Sequence, residues 1–345
     1  MILINGYAAM GSDSELVPYK FERKEPNDNE VLIDILYCGI CHADIHQSKN
    51  EYGNTKYPFV PGHEIIGRVL EVGKLVTKFK IGDHVGVGYF INSCGHCKNC
   101  TGHEEQFCEN GITPTQNGKL EDGSFTKGGY SEVIVVNENY VLQIPEKVRL
   151  ESAAPLLCAG ITTYTAIKYN KIAPGNRVGV IGLGGLGHMA VKFASSFGAE
   201  VTVLSTSDFK EESARSLGAH HFINTKDIVQ LKQAYNKFDY IIDTVSAAHD
   251  INQYLQLLKK DGTLILLGVP PEKLDFSVGM LTSLRKKITG SFIGGIEDTQ
   301  QMLEYCAENN ISPEVEVISP KYINKAFERV IQNDVHYRFV IDMKK

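Results

Sequence analysis

The run Gly182-Leu183-Gly184-Gly185-Leu186-Gly187 limits what this chain can fold into more than any other stretch. It fits Gly-x-Gly-x-x-Gly, follows the apolar run Val178-Gly179-Val180-Ile181, and precedes a helix-like segment at 189–197. In such a strand–turn–helix each glycine has a task. The first permits the tight turn, the second lets backbone approach a pyrophosphate, and the third lets the helix pack close to the sheet with its N-terminus facing the phosphate. The surroundings repeat the pattern. Val201-Thr202-Val203-Leu204, Tyr240-Ile241-Ile242-Asp243 and Leu264-Ile265-Leu266-Leu267 are short apolar runs, with helix-like segments at 210–217 and 251–258 between them. Strands alternating with helices predict a doubly wound parallel sheet of βαβ units.

The end of the second strand selects the dinucleotide. NAD binders carry an acidic residue there, ~20 residues on, to hold the ribose 2′-hydroxyl. Here Leu204-Ser205-Thr206-Ser207 places Ser205 at that point, with Lys210 shortly after and Asp208 as the one opposing charge. Without a carboxylate a 2′-phosphate is not repelled, and hydroxyls with an ammonium can bind it. NADP(H) is therefore expected in preference to NAD(H).

The first ~150 residues read differently, because short alternating runs bounded by Gly and Pro indicate a mainly β region. Val31-Leu32-Ile33-Asp34-Ile35-Leu36, Ile65-Ile66-Gly67-Arg68-Val69-Leu70 and Ser131-Glu132-Val133-Ile134-Val135-Val136 are examples. After Pro313 short strands return at 315–318 and 337–341, and these are expected to pair back onto the β region. A length of 345 residues suits two domains. The formal charge of −6 argues against general binding to nucleic acid or to an anionic membrane. No apolar run reaches the ~18–20 residues of a membrane span. The N-terminus lacks a basic start followed by a long apolar stretch, so a cytoplasmic protein is expected.

Four of the eight cysteines, Cys94, Cys97, Cys100 and Cys108, fall within fifteen residues. Dense clusters of this kind in a reducing compartment bind metal more often than they crosslink. Four thiolates on one loop suit a tetrahedral zinc and leave no place for substrate, which predicts a structural ion. An iron–sulfur cluster needs similar ligands, but nothing nearby suggests electron transfer. A second set is dispersed over Cys41-His42-Ala43-Asp44-Ile45-His46, Gly62-His63-Glu64 and Leu157-Cys158-Ala159-Gly160. Spacing alone does not show that these groups converge, and singly Cys158 reads as a core residue and His63 as a turn histidine.

Gly39-Ile40-Cys41-His42, Pro61-Gly62-His63-Glu64-Ile65-Ile66-Gly67, Gly82-Asp83-His84-Val85-Gly86-Val87-Gly88 and the four-cysteine loop resemble zinc-dependent medium-chain alcohol dehydrogenases. Pro155-Leu156-Leu157-Cys158-Ala159-Gly160-Ile161-Thr162, Val203-Leu204-Ser205-Thr206-Ser207, Ser291-Phe292-Ile293-Gly294 and Tyr337-Arg338-Phe339-Val340-Ile341-Asp342 resemble the cinnamyl alcohol dehydrogenase branch, with its mannitol dehydrogenase-like members. The resemblance implies a GroES-like β-rich catalytic domain at 1–158 and 294–345 and a Rossmann domain at 159–293.

It also implies two zinc ions per chain. Cys41, His63 and Cys158 match the catalytic ligands, and Glu64 matches a carboxylate behind the metal that binds it transiently. Asp44 matches the aspartate that orients the ligand histidine, an arrangement that fixes the tautomer and strengthens the donor. His42 and Arg338 match contacts to the cofactor pyrophosphate, Thr162 a contact on the nicotinamide face, and Ser205, Thr206 and Lys210 the 2′-phosphate pocket, with Ser207 and Ile293 as further cofactor-binding positions. Phe90 matches a wall of the substrate pocket, with Tyr52 or Tyr57 at its entrance. In the family a Ser or Thr passes the alcohol proton through the ribose hydroxyl to a histidine. His46 matches that histidine, but the hydroxyl position is Ala43: either a water or the ribose hydroxyl bridges and proton release slows, or hydride transfer or cofactor release limits turnover and Ala43 is silent.

The expected function is NADP(H)-dependent hydride transfer between primary alcohols and aldehydes, aromatic such as cinnamaldehyde or benzaldehyde, or medium aliphatic. Its partners are small molecules, with a homodimer as the expected assembly. The alternatives are a mannitol-type polyol dehydrogenase and a non-catalytic NADP-binding zinc protein.

Overall fold

A computed structural model describes residues 1–270 and 272–345. The chain divides into two compact units, Met1–Ile161 with Ile293–Lys345, and Thr162–Phe292. The chain passes between them twice, first inside the helix Ala159–Tyr169 and again between Phe292 and Ile293.

In the first unit a seven-stranded sheet runs in the order Val315–Ile318, Arg338–Asp342, Glu30–Gly39, Ile65–Val72, His84–Val87, Leu142–Gln143, with Val133–Asn137 also paired to Glu30–Gly39. Glu30–Gly39 is the hub, antiparallel to Arg338–Asp342, Ile65–Val72 and Val133–Asn137. Its residues Val31, Ile33, Ile35 and Cys38 are fully enclosed, as are Ile65 and Ile66 beside them. Burying such side chains contributes about 1.5–3 kcal/mol each. The C-terminal strands do return to this sheet, as the sequence pattern predicts.

The second unit is a six-stranded parallel sheet in the order His221–Asn224, Glu200–Ser205, Arg177–Ile181, Phe238–Asp243, Leu258–Leu266, Lys287–Gly290. In chain order this is 3-2-1-4-5-6, the Rossmann topology. Val178, Val180, Val201, Val203, Ile241, Ile242, Leu264 and Ile265 are buried along it, as strands covered on both faces require. The predicted helices form, as Gly187–Ser196, Glu211–Ser216 and the short Asn252–Leu255. No helix among the described residues is long and apolar enough to cross a membrane.

Candidate metal centre and dinucleotide loop

The dispersed thiol and imidazole groups converge. Cys41 lies two residues past the strand Glu30–Gly39, in an extended conformation, as the N-cap of the helix His42–Ser48. The Asp44 carboxylate, one turn in, accepts the Cys41 amide at 2.8 Å with one oxygen and faces His63 Nδ1 at 2.8 Å with the other. His63 lies in the loop before Ile65–Val72, and Cys158 follows the single 3₁₀ turn Ala154–Leu157. One ligand atom from each of Cys41, His63, Glu64 and Cys158 lies within 4.8 Å of the others.

The donor set fits zinc. With Nδ1 donating to Asp44, the ring of His63 leaves Nε2 free to serve as a lone-pair donor, and that buried atom has no hydrogen-bond partner among the described residues. A buried polar atom is rarely left unpaired, and an orphan close to two thiols is what a metal-ligating position would show. Cys41 and Cys158 are 3.9 Å apart at sulfur, and thiolates ~2.3 Å from a tetrahedral zinc are separated by about 3.8 Å. The hydrogen bond from the Cys158 thiol, against a burial penalty, pushes Cys41 well below the usual thiol range. Burial opposes charge on His63, but Asp44 and the Cys41 thiolate outweigh it, so in the absence of an ion the ring holds its second proton above the ordinary value, and a metal taking Nε2 displaces that proton.

Behind this set Glu64 is fully enclosed and paired with Arg338, itself buried. Burial pushes the Glu64 carboxyl up to about 7 against the pull of that guanidinium. The other Glu64 oxygen, Oε2, has no hydrogen-bond partner among the described residues.

The four-cysteine loop fits a second zinc. Cys97 and Cys100 are 3.5 Å apart at sulfur, and Cys94 and Cys100 are 3.9 Å apart. Amides point inward as well: Cys97 N–H lies 3.4 Å from Cys94 Sγ, and Cys94 N–H 3.4 Å from Cys108 Sγ. The amides of His96 and Cys97 push the Cys94 thiol down to about 5, whereas burial pushes Cys100 up to about 11. Three of the four cysteines are buried. No position is open to substrate, so the loop fits a structural ion.

In the second unit the glycine run turns between Arg177–Ile181 and Gly187–Ser196, with Gly182 at φ +83°, where a side chain is strained. A Cβ on Gly187 would lie 2.2 Å from the Gly182 carbonyl oxygen, whereas one on Gly184 meets nothing within 4 Å. The third glycine is thus required by packing. The second faces open space beside the start of a ten-residue helix. Ser205 ends its strand and accepts the Ser207 amide at 3.3 Å. Lys210 reaches back to the Leu183 carbonyl at 3.2 Å, which sets its ammonium at the glycine loop. Asp208 is turned away and accepts Asn224 Nδ2 at 2.6 Å.

Residues 27–146 match the alcohol dehydrogenase GroES-like domain, and residues 185–308 match the zinc-binding dehydrogenase domain. The sequence is 50% identical over 343 residues to an NADP-dependent alcohol dehydrogenase C of Mycolicibacterium smegmatis, covering 99% of this chain and 98% of that one. The chain belongs to the zinc-binding medium-chain alcohol dehydrogenases. A probable mannitol dehydrogenase of Fragaria ananassa is 49% identical, with 98% and 95% of the two chains covered. A solved cinnamyl alcohol dehydrogenase of Sorghum bicolor superposes with a TM-score of 0.96 at 45% identity, covering 99% of this chain and 98% of that chain.

The remaining expected site residues of this dehydrogenase are placed as follows. His46 turns Nδ1 to Glu51, keeps Nε2 buried without a partner among the described residues, and packs on Tyr52 with ring centres 5.7 Å apart. His42 is exposed on the same helix, and Arg338 is directed at Glu64. Tyr57 donates to the Ser48 carbonyl at 2.8 Å, away from the cluster. Phe90 is buried edge-on to Tyr140, and shares a small apolar crevice with Gly88, Leu157, Ile161 and Ile293. Thr162 is buried in the second unit, which also carries Ser205, Thr206 and Ser207.

Three residues near the centre were not singled out from the sequence. Tyr89 meets the ring of His63 edge-on at 5.6 Å, Glu51 holds His46, and Tyr130 donates to Asp44 at 3.2 Å. The only available signal was the doubled aromatic Tyr89-Phe90 ahead of the cysteine loop, and the paired glycines before Tyr130.

Proposed function

We propose that this chain is a zinc-dependent NADP(H) alcohol dehydrogenase that works mainly as a reductase of aromatic or medium aliphatic aldehydes. The observation that carries it is the orphaned Nε2 of His63 beside the Cys41 and Cys158 thiols. When bound, zinc supplies a Lewis acid for the substrate oxygen and NADP(H) supplies or accepts the hydride.

The chain's own groups have distinct parts in this reading. Cys41, His63 and Cys158 hold the metal, and Asp44 fixes the Nδ1–H tautomer of His63 so that Nε2 is the donor. Glu51 does the same for His46: it takes the Nδ1 proton and leaves Nε2 as the atom that accepts or returns the alcohol proton. Ala43 offers no hydroxyl between His46 and the centre. The aromatic faces of Tyr89 and Tyr52 bound the approach and favour planar, apolar substrates over polyols. Ser205, Thr206, Ser207 and Lys210 favour the 2′-phosphate, in keeping with the NADP-dependent mycobacterial relative. A cytoplasmic homodimer is the assembly this reading carries.

The likeness to a probable mannitol dehydrogenase supports a polyol dehydrogenase as the second reading. Elemental analysis and turnover separate the possibilities. Two zincs per chain, with NADPH-dependent reduction of cinnamaldehyde abolished by Cys158→Ala, is the expected outcome. Mannitol oxidation faster than cinnamaldehyde reduction would select the polyol reading. One zinc and no turnover with any aldehyde or alcohol would leave a binding protein.

A further inference from the structure

Tyr130 fastens together segments that are remote in sequence, and its position is set by glycines. The stretch Gly128-Gly129-Tyr130 runs beside Val60-Pro61-Gly62, immediately before His63. The amides of Gly128, Gly129 and Tyr130 donate to the carbonyls of Val60, Gly62 and Pro61 at 2.8, 2.9 and 2.9 Å. A Cβ on Gly128 would lie 2.3 Å from the Pro61 carbonyl oxygen, and one on Gly129 would lie 2.4 Å from Ile65 Cγ1. Only glycine allows the approach. From the other side the Arg23 guanidinium donates to the Lys127 and Gly128 carbonyls at 2.8 and 3.0 Å. Tyr130 is thereby wholly buried, edge-on to Phe327 at 6.4 Å, with its phenol at 3.2 Å from Asp44 Oδ2.

Asp44 thus receives three donors from three places in the chain. Oδ1 takes the His63 Nδ1 proton, and Oδ2 takes the Cys41 amide and the Tyr130 hydroxyl. A carboxylate held only by His63 and the Cys41 amide can still pivot about its Cβ–Cγ bond, and the imidazole follows it. A second donor on Oδ2 fixes the plane. Burial pushes the phenol well above its ordinary range, so the donor persists into alkaline solution.

We propose that Tyr130 is a positioning residue for the catalytic metal, whose hydroxyl locks the Asp44 carboxylate and so keeps His63 and Cys41 in ligand geometry and retards metal loss. The proposal rests on the reading of Cys41, His63 and Cys158 as zinc ligands.

The test is zinc release from the intact protein into excess 4-(2-pyridylazo)resorcinol. The phase missing in Cys158→Ala reports the catalytic ion, and the remaining phase reports the four-cysteine ion as an internal control. Direct carboxylate partners of a ligand histidine are worth ~10–100-fold in affinity, and Tyr130 acts one step further out. Tyr130→Phe is expected to speed the catalytic phase about three- to tenfold and leave the control phase unchanged. Phe327→Leu, which removes only packing, is expected to lower the melting temperature and change neither phase. An unchanged catalytic phase in Tyr130→Phe would overturn the proposal, as would equal acceleration of both phases or an equal effect of Phe327→Leu. Should Tyr130→Phe not fold, 3-fluorotyrosine at position 130, a stronger donor, is expected to slow the catalytic phase, and no slowing overturns the proposal. A wild-type zinc content of one per chain would instead remove the ligand reading beneath it.

Discussion

Replacing Asp44 by Asn removes a charge and turns one acceptor into a donor without changing shape, at a site with no solvent exposure. The carboxylate accepts at both oxygens, from His63 Nδ1 at 2.8 Å on one and from the Cys41 amide at 2.8 Å on the other. An amide has one acceptor oxygen and one NH₂. If its oxygen faces His63, the NH₂ confronts the Cys41 N–H donor to donor; if it flips, His63 meets the NH₂ instead. Exchanging a charged acceptor for a neutral one loses about 1 kcal/mol, and the orphaned buried donor adds ~1–3 kcal/mol, so the site is weakened by about 2–4 kcal/mol. The ~10–100-fold loss of metal affinity typical of such partners is about 1.4–2.7 kcal/mol, inside that range. Competition with a chelator of known zinc affinity, together with calorimetric melting of zinc-loaded and stripped protein, measures both parts. Asp44→Asn is expected to bind the catalytic zinc at least tenfold more weakly while the four-cysteine ion stays in place. Affinity within threefold of wild type would refute the claim that Asp44 organises the site.

Three further outcomes are expected. Ser205→Asp puts a carboxylate at the end of its strand, where like-charge repulsion should lower the preference for NADPH over NADH by about 10–100-fold in kcat/KM. Gly187→Ala brings a Cβ to 2.2 Å from a carbonyl oxygen and should lower the melting temperature, whereas Gly184→Ala, which meets nothing, should fold normally and weaken NADPH binding in titration calorimetry. His249 faces Asp243 Oδ2 with Nε2 at 2.9 Å and the Ala247 carbonyl with Nδ1 at 2.8 Å, so the doubly protonated ring satisfies both, and the Asp243 hydrogen bond raises its pKa. That stabilisation is fully present below the unfolded value of about 6.5 and is lost as pH rises through the folded value. His249→Gln should therefore destabilise the protein in urea melts at pH 6 and much less at pH 9.

Legibility in the sequence followed contiguity. The glycine loop and the cysteine loop each hold their chemistry within one short stretch, where spacing alone implies geometry. Cys41, His63 and Cys158 are brought together by a helix N-cap, a loop and a 3₁₀ turn, and no local pattern reports that meeting; the family resemblance supplied it. Tyr89 stands in a bend just before the strand Phe90–Asn92, so no strand alternation tells which way its ring turns. Arg338 stands out as a cation in an apolar run, yet its partner Glu64 is fixed by pairing between strands far apart in the chain. Tyr130 was hidden for the same reason, since a phenol's hydrogen-bond partner depends on tertiary placement.

The strand Arg338–Asp342 sits inside the first sheet, between Val315–Ile318 and the hub Glu30–Gly39. That strand must therefore leave the ribosome before the sheet can close. The Rossmann unit, complete by Phe292, is free to fold while the earlier β segments still wait for their last neighbour. Glu64 gains its counter-cation only when Arg338 arrives, so a product cut off before that strand would carry an ordered nucleotide fold beside a buried carboxylate without its partner.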